Sequence, residues 1–180
     1  MHTDSPLAAV RDSLRADRAT LRAAVDRVPP ERRRERAAPG RWSVAEVLEH
    51  LAIVEQRVLA MLPPLLAAAP PRAADAAPPA PFPRDVLRDR TRLITAPDPI
   101  QPRGALDADA AWDALERSRA ALLALLDTVE GRDLTAISRQ HPVLGTLDGY
   151  QWLASLGGHE ERHAMQIHEI ADTLENSRIR

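Results

Sequence analysis

His159-Glu160-Glu161-Arg162-His163 is the stretch around which the rest of this 180-residue chain is organised. Its two histidines are four residues apart, so on an α-helix they lie one turn above each other on the same face. Two imidazoles at that spacing can bind one divalent ion. A third histidine, His50, lies in another strongly helical segment. Two helices packed together could bring the three rings to one point, so the sequence predicts a metal-carrying helical bundle.

Four segments have the features of long amphipathic helices, with apolar residues at helical spacing between caps and prolines. Ser43 and Glu46 form a capping box at the start of the second helix. Pro63-Pro64 is expected to end or kink that helix near Leu62. The four helices are predicted at residues 5–27, from the Ser43 cap to about 62, about 107–129, and from 146 or 148 to about 175.

The connections between the predicted helices differ greatly in length and composition. Residues 70–103 are rich in proline and alanine and form a long crossover, in which one short helix is expected near 84–94. Residues 132–146 form a loop that carries His141. We therefore predict an all-α fold, a four-helix bundle with a long crossover between helices two and three. The length of the chain predicts one domain over residues 1–180.

The composition excludes several classes of function. The net charge of −2, with arginine and acidic residues interleaved, gives no basic stripe, so no nucleic acid partner is expected. No apolar run approaches the roughly 20 residues that span a bilayer, and the N-terminus does not resemble a secretory signal. A cytoplasmic protein without a membrane partner is therefore expected. The absence of cysteine leaves histidine and carboxylate side chains as the strong metal ligands.

The histidines and Glu160 each have more than one interpretation. A single buried histidine is more often structural than a ligand, but three on inward faces favour a site for zinc, nickel or iron with open coordination positions. The letters of 159–163 also fit the H-E-x-x-H motif of zinc proteases, in which the glutamate polarises a bound water. A protease is disfavoured because the third ligand lies on an upstream helix and no strand pattern is evident. Glu160 is either a base or a partner of a ligand, or it forms a salt bridge with an arginine inside the bundle.

Several segments resemble the DinB-like superfamily. They are residues 41–51, with the Trp-Ser cap followed by His50, residues 141–147, with a His-Pro-x-x-Gly loop, Trp152-Leu153, and residues 159–167. The resemblance covers nearly the whole chain. It implies an up-down-down-up four-helix bundle, commonly a homodimer, in which His50, His159 and His163 hold a divalent metal.

The resemblance implies less about the reaction. Some branches of this superfamily resemble S-transferases that use a low-molecular-weight thiol as co-substrate. The chain is therefore expected to activate such a thiol, or water as a hydrolase, toward a small-molecule substrate held under the 70–105 crossover. A non-catalytic, metal-stabilised dimeric bundle or a stress-response binding module is the alternative. Glu160 and His141 are the candidate catalytic residues, although His141 could instead pack the loop before Pro142.

Overall fold

Four long helices carry most of the polypeptide in the computed structural model, which describes residues 5–91 and 94–177. Within these residues the helices are α1 (Pro6–Asp26), α2 (Val44–Ala67), a single turn α3 (Asp85–Arg88), α4 (Ala108–Thr128) and α5 (Gly149–Ser177). A short hairpin of β1 (Arg139–His141) and β2 (Gly145–Leu147) precedes α5. The predicted all-α four-helix bundle is confirmed. None of the described helices is long and apolar enough to cross a membrane.

The caps predicted from the sequence begin the helices. Ser5 accepts a hydrogen bond from the Leu7 N–H, and Pro6 occupies the first turn of α1. The Ser43 hydroxyl accepts from the Glu46 N–H while the Glu46 carboxylate accepts from the Ser43 N–H, so the predicted capping box is present. These contacts fix where α1 and α2 start.

The four long helices run up, down, down and up. Arg18 of α1 pairs with Glu160 of α5, and Arg27 pairs with Asp172 further along, so α1 and α5 are parallel. One apolar cluster contains the N-terminal parts of α2 and α4 together with the C-terminal part of α5. The helices α2 and α4 are therefore parallel to each other and antiparallel to α1 and α5. The arrangement implied by the resemblance is the one observed.

Helix α2 does not end at its two prolines. It continues through Pro63 and Pro64 to Ala67, because Leu62 and Leu66 on its inner face are both fully buried. Each proline removes one backbone donor, but both lie in the last two turns, where few hydrogen bonds follow them. Burial of the two leucines outweighs that loss.

Two connections also differ from the prediction. The short helix in the crossover covers only Asp85–Arg88 rather than 84–94, and residues 92 and 93 of the predicted span lie outside the described residues. The loop at 132–146 contains the β1–β2 hairpin, whose turn ends at Gly145 with a φ of 77°. A positive φ of this kind is readily adopted only by glycine, so Gly145 permits the turn.

Arginine side chains fasten the crossover to α1 and α5. Arg84 lies 2.8 Å from Asp17 and 2.7 Å from Glu161, and Arg88 lies 2.7 Å from the same Glu161. Gly158 of α5 leaves room for the crossover, since a Cβ atom there would lie 2.7 Å from the ring of Phe82. The crossover therefore packs against the bundle and is not a free linker.

A charged ring separates two apolar clusters in the middle of the bundle. One cluster lies toward the C-terminal end of α5 and the other toward its N-terminal end. Between them four buried side chains form ion pairs of 2.6–3.1 Å that close a ring, with one member from each long helix. The members are Arg18, Glu55, Arg119 and Glu160. The two positive and two negative charges balance, which makes their burial tolerable.

Replacing one member of the charged ring should destabilise the fold strongly. Glu55→Leu removes one carboxylate partner of both Arg18 and Arg119, so we expect the free energy of unfolding to fall by about 3–5 kcal/mol. Urea denaturation measures the change. Asp172→Ala, which removes an exposed ion pair with Arg27, is the control and should change stability little. Equal effects of the two substitutions would contradict this account of the ring.

Candidate metal centre

Three imidazole rings converge beside the charged ring. His50 comes from α2, and His159 and His163 come from consecutive turns of α5. The Nε2 atom of His159 lies 3.3 Å from that of His50 and 3.1 Å from that of His163. Two nitrogens bound at 2.0–2.1 Å to one tetrahedral ion are roughly 3.3 Å apart. The three histidines, with potential ligand atoms all within 4.8 Å of one another, could therefore hold a metal ion.

Neighbouring oxygen atoms orient two of the three rings. The Nδ1 atom of His50 lies 2.7 Å from the carbonyl oxygen of Ile100, and Nδ1 of His163 lies 2.8 Å from the side-chain oxygen of Gln166. These oxygens only accept, so both Nδ1 atoms carry the proton and both Nε2 atoms present lone pairs toward His159. His159 can donate one Nε2 proton to only one of them. Without a cation, at least one of the two Nε2 lone pairs has no donor, so this donor set fits a metal ion.

The environment keeps the three imidazoles neutral. Burial lowers the pKa of His159 to about 3, and the neighbouring His50 adds to this effect. Burial also lowers the pKa of His50 and brings that of His163 well below its usual range. Neutral imidazole is the form that binds metals. The Trp42 ring, 4.9 Å from that of His50, provides an apolar wall, while partial exposure of His159 leaves the cluster reachable from outside.

Glu160 belongs to the charged ring. Its Oε1 atom accepts hydrogen bonds from Arg18 and lies 3.0 Å from Arg119, which is the salt-bridge arrangement considered from the sequence. Burial raises the pKa of this carboxyl group, and the two arginines oppose the shift. Its Oε2 atom is buried and has no hydrogen-bond partner within the described part of the chain.

A small cavity adjoins both the histidine cluster and the charged ring. His159 and Glu160 line it, together with Glu55 and three apolar residues, and its volume is about 10 Å³. This is about the space that one water molecule needs. The unpartnered Oε2 atom of Glu160 thus belongs to a residue that borders a water-sized cavity beside the candidate ligands.

The structure does not bring His141 into the histidine cluster. Its Nδ1 atom accepts hydrogen bonds from the Val143 and Leu144 N–H groups, at 3.1 and 3.2 Å, and so stabilises the hairpin turn. Its ring lies 4.8 Å from that of Trp152. Burial lowers the pKa of His141, and its own charge would lower the pKa of His159. His141 therefore lies within electrostatic reach of the cluster.

Sequence reasoning missed several residues that support the cluster. Gln166 follows His163 by three residues on the same helix face, a spacing that could have identified it. The backbone carbonyl of Ile100 leaves no signal in the sequence. The partners of Glu160 in the charged ring lie on other helices, and no local pattern indicates which arginines they are.

Comparisons with known proteins agree with this fold. A sequence model of the DinB superfamily matches residues 13–167, which include the three histidines and the charged ring. The uncharacterized protein YuaE of Bacillus subtilis (strain 168) is 26% identical over 148 residues, covering 82% of this chain and 88% of the relative. The crystal structure of TT2238, a four-helix bundle protein, is similar with a TM-score of 0.59 and 22% identity, over 89% of this chain and 97% of that one.

The stability of the metal-free protein should fall as the pH drops from about 7.5 to 5. The unfolded chain takes up protons on histidines near their ordinary pKa of about 6.5, whereas the folded cluster stays neutral. Each such histidine contributes a slope of up to about 1.4 kcal/mol per pH unit. Urea unfolding at a series of pH values measures it. The variant His50→Gln/His159→Gln/His163→Gln should have a shallower slope, and an unchanged slope would contradict the assignment.

Proposed function

The chain belongs to the DinB superfamily, and on that premise we propose that it is a metal-dependent enzyme that activates a low-molecular-weight thiol or water. His50, His159 and His163 would hold the ion. The observation that carries the proposal is the convergence of their Nε2 atoms, with separations from His159 of 3.1 and 3.3 Å. Imidazole ligands suit zinc, nickel and iron.

The donor set supports a catalytic rather than a purely structural ion. Structural zinc sites usually have four protein ligands, whereas catalytic sites keep three and leave a position open. Among the described residues, the histidine triad is the group of side chains that could hold a metal ion. A divalent ion with an open position lowers the pKa of a thiol or water that enters it, so that the anion forms near neutral pH.

The chain's own residues shape the approach to this position. The Trp42 ring packs against one side of the cluster, and a substrate would enter from the side of the partly exposed His159. Ile100 places the crossover against His50, so a small-molecule substrate would bind where the crossover meets α2.

In thiol transfer, sulfur bonds to the electrophilic carbon of the substrate, the leaving group departs with its bonding electrons, and the thiol proton is released. In hydrolysis, the hydroxyl group of water bonds to one product and the proton of water goes to the other.

Two residues are candidates for moving the proton. Glu160 borders the cavity beside His159 and has one unpartnered oxygen, but its other oxygen is committed to Arg18. Burial lowers the pKa of His141, which influences His159 only through its charge, and its Nδ1 atom is committed to the hairpin turn. We assign Glu160 mainly to holding the charged ring and give His141 the lesser role of binding substrate.

A non-catalytic, metal-stabilised module is the second candidate function. The size of the cavity beside His159 favours it, because a volume of about 10 Å³ admits a water molecule but no thiol. The same observation favours water over a thiol in an enzyme. The homodimer, the small-molecule substrate and the cytoplasmic location are proposals that rest on the family and the composition.

Protein purified without a metal column should contain about one divalent ion per chain, because the donor set offers one point of convergence. His50→Ala and His163→Ala should each weaken metal binding, as measured by elemental analysis and chelator competition. His168→Ala is the matched control, since His168 lies on α5 but contacts Arg27 outside the cluster. Unchanged binding in His50→Ala would remove α2 from the site, and loss of metal in His168→Ala would place the site on another face of α5.

An enzyme and a structural site should respond differently to added thiol. In protein loaded with cobalt or nickel, an open coordination position should let a thiol change the visible absorption spectrum. Glutathione and simple thiols serve as probes, and an equal concentration of an alcohol is the control. A spectrum that no thiol changes would contradict thiol activation, and slow exchange of every ligand would favour the structural module.

A further inference from the structure

Glu49 carries a buried carboxylate that binds the crossover backbone. The residue is only 5% exposed and directly precedes the candidate ligand His50. Its Oε2 atom accepts a hydrogen bond from the Gly104 N–H at 2.8 Å, and its Oε1 atom accepts from the Ala105 N–H at 3.4 Å. Burying a carboxylate is costly unless hydrogen bonds compensate it. An apolar residue at this position would have a lower desolvation cost, so packing alone does not explain the buried carboxylate.

The conformation of Gly104 directs both N–H groups toward the carboxylate. Its φ of 68° lies in the left-handed region that glycine adopts readily. Consecutive N–H groups around such a residue can point to one anion. A Cβ atom at Gly104 would meet nothing within 4 Å, so the backbone conformation rather than lack of space requires glycine.

The same short segment orients His50. We define the strap as residues 98–105, which begin with the turn Asp98–Ile100 and end at the two N–H groups bound by Glu49. The carbonyl of Ile100 accepts the Nδ1 proton of His50 at 2.7 Å. Neighbouring side chains of α2 thus hold the strap near both of its ends. A third, weaker contact of 3.4 Å joins Arg57 of α2 to the Pro99 carbonyl.

We propose that Glu49 is a positioning residue of the metal centre: it anchors the strap, and the anchored strap presents the Ile100 carbonyl that fixes the ring orientation of His50. The expected effect of Glu49 on metal binding rests on the proposed function. When the strap is released, His50 loses the acceptor for its Nδ1 proton. The ring can then rotate and the Nε2 lone pair no longer points to His159. Groups that orient a ligand in this way commonly affect metal affinity.

Glu49→Ala tests the proposal with two readouts. Nitrogen-15 NMR of metal-free protein should show that the His50 Nδ1 proton loses its protection and that the ring populates both tautomers. Zinc affinity from chelator competition should fall by about 10- to 100-fold, the usual effect of losing such a partner. Glu49→Gln keeps one acceptor oxygen and should lie between Glu49→Ala and the unmodified protein. Gly104→Ala perturbs the same contact from the strap and should reproduce the tautomer change with Glu49 intact.

Asp133→Ala is the matched control, because Asp133 accepts hydrogen bonds from Thr135 and Arg72 near the hairpin, away from the cluster. It should leave the His50 tautomer and the zinc affinity unchanged. A protected His50 proton and unchanged zinc affinity in both Glu49→Ala and Gly104→Ala would overturn the proposal. If the unmodified protein binds no zinc, the proposed function fails, and the NMR readout on metal-free protein still decides whether Glu49 positions His50.

Discussion

Two arginines and two glutamates meet in the middle of the bundle, and their ion pairs determine how the four long helices align along one another. Sliding one helix by a single turn moves its side chains about 5.4 Å. Such a shift would separate a buried charge from its partners, which costs about 3–5 kcal/mol. Glu55 lies five residues after His50 on α2, and Glu160 directly follows His159 on α5. The alignment that pairs Arg18 with both glutamates therefore also places His50 opposite His159.

The charged ring lies between two apolar clusters and, with the histidine cluster beside it, forms one polar layer. Ion pairs join the members of the ring, whereas burial keeps the neighbouring imidazoles neutral. A helical pattern that would otherwise be apolar is interrupted here on all four long helices. Polar residues that break such a pattern often mark functional or strained sites. The proposed metal centre gives this layer a function, and the charged ring provides the rigid frame beside it.

The support of the candidate ligands comes from elements far apart in the sequence. His163 is oriented from its own helix by Gln166, but His50 is oriented by the crossover, through Ile100. The crossover is in turn fastened to α2 by Glu49 and to α5 by Arg84. The long connection thus does more than carry the chain across the bundle. It contributes a backbone oxygen to the site.

The sequence predicted the features that depend on local spacing. Helical periodicity and spacing predict three of these features: the one-turn separation of His159 and His163, the inward face of α2 around His50, and the Ser43–Glu46 cap. Continuation of α2 through Pro63 and Pro64 was not predictable, because burial of Leu66 against other helices overrides the local preference. The partners in the charged ring and the Ile100 carbonyl were also hidden, since they depend on tertiary contacts across 37 to 142 residues.

X-ray absorption spectroscopy of the protein loaded with zinc can decide whether histidines bind the metal, because it identifies the types of ligand without requiring a known reaction. We expect three imidazole nitrogens at about 2.0–2.1 Å, with the multiple scattering typical of histidine rings, and one or more exchangeable ligands such as water. Fewer than three imidazoles, or a shell of carboxylate oxygens alone, would contradict the assignment of His50, His159 and His163 as the metal ligands.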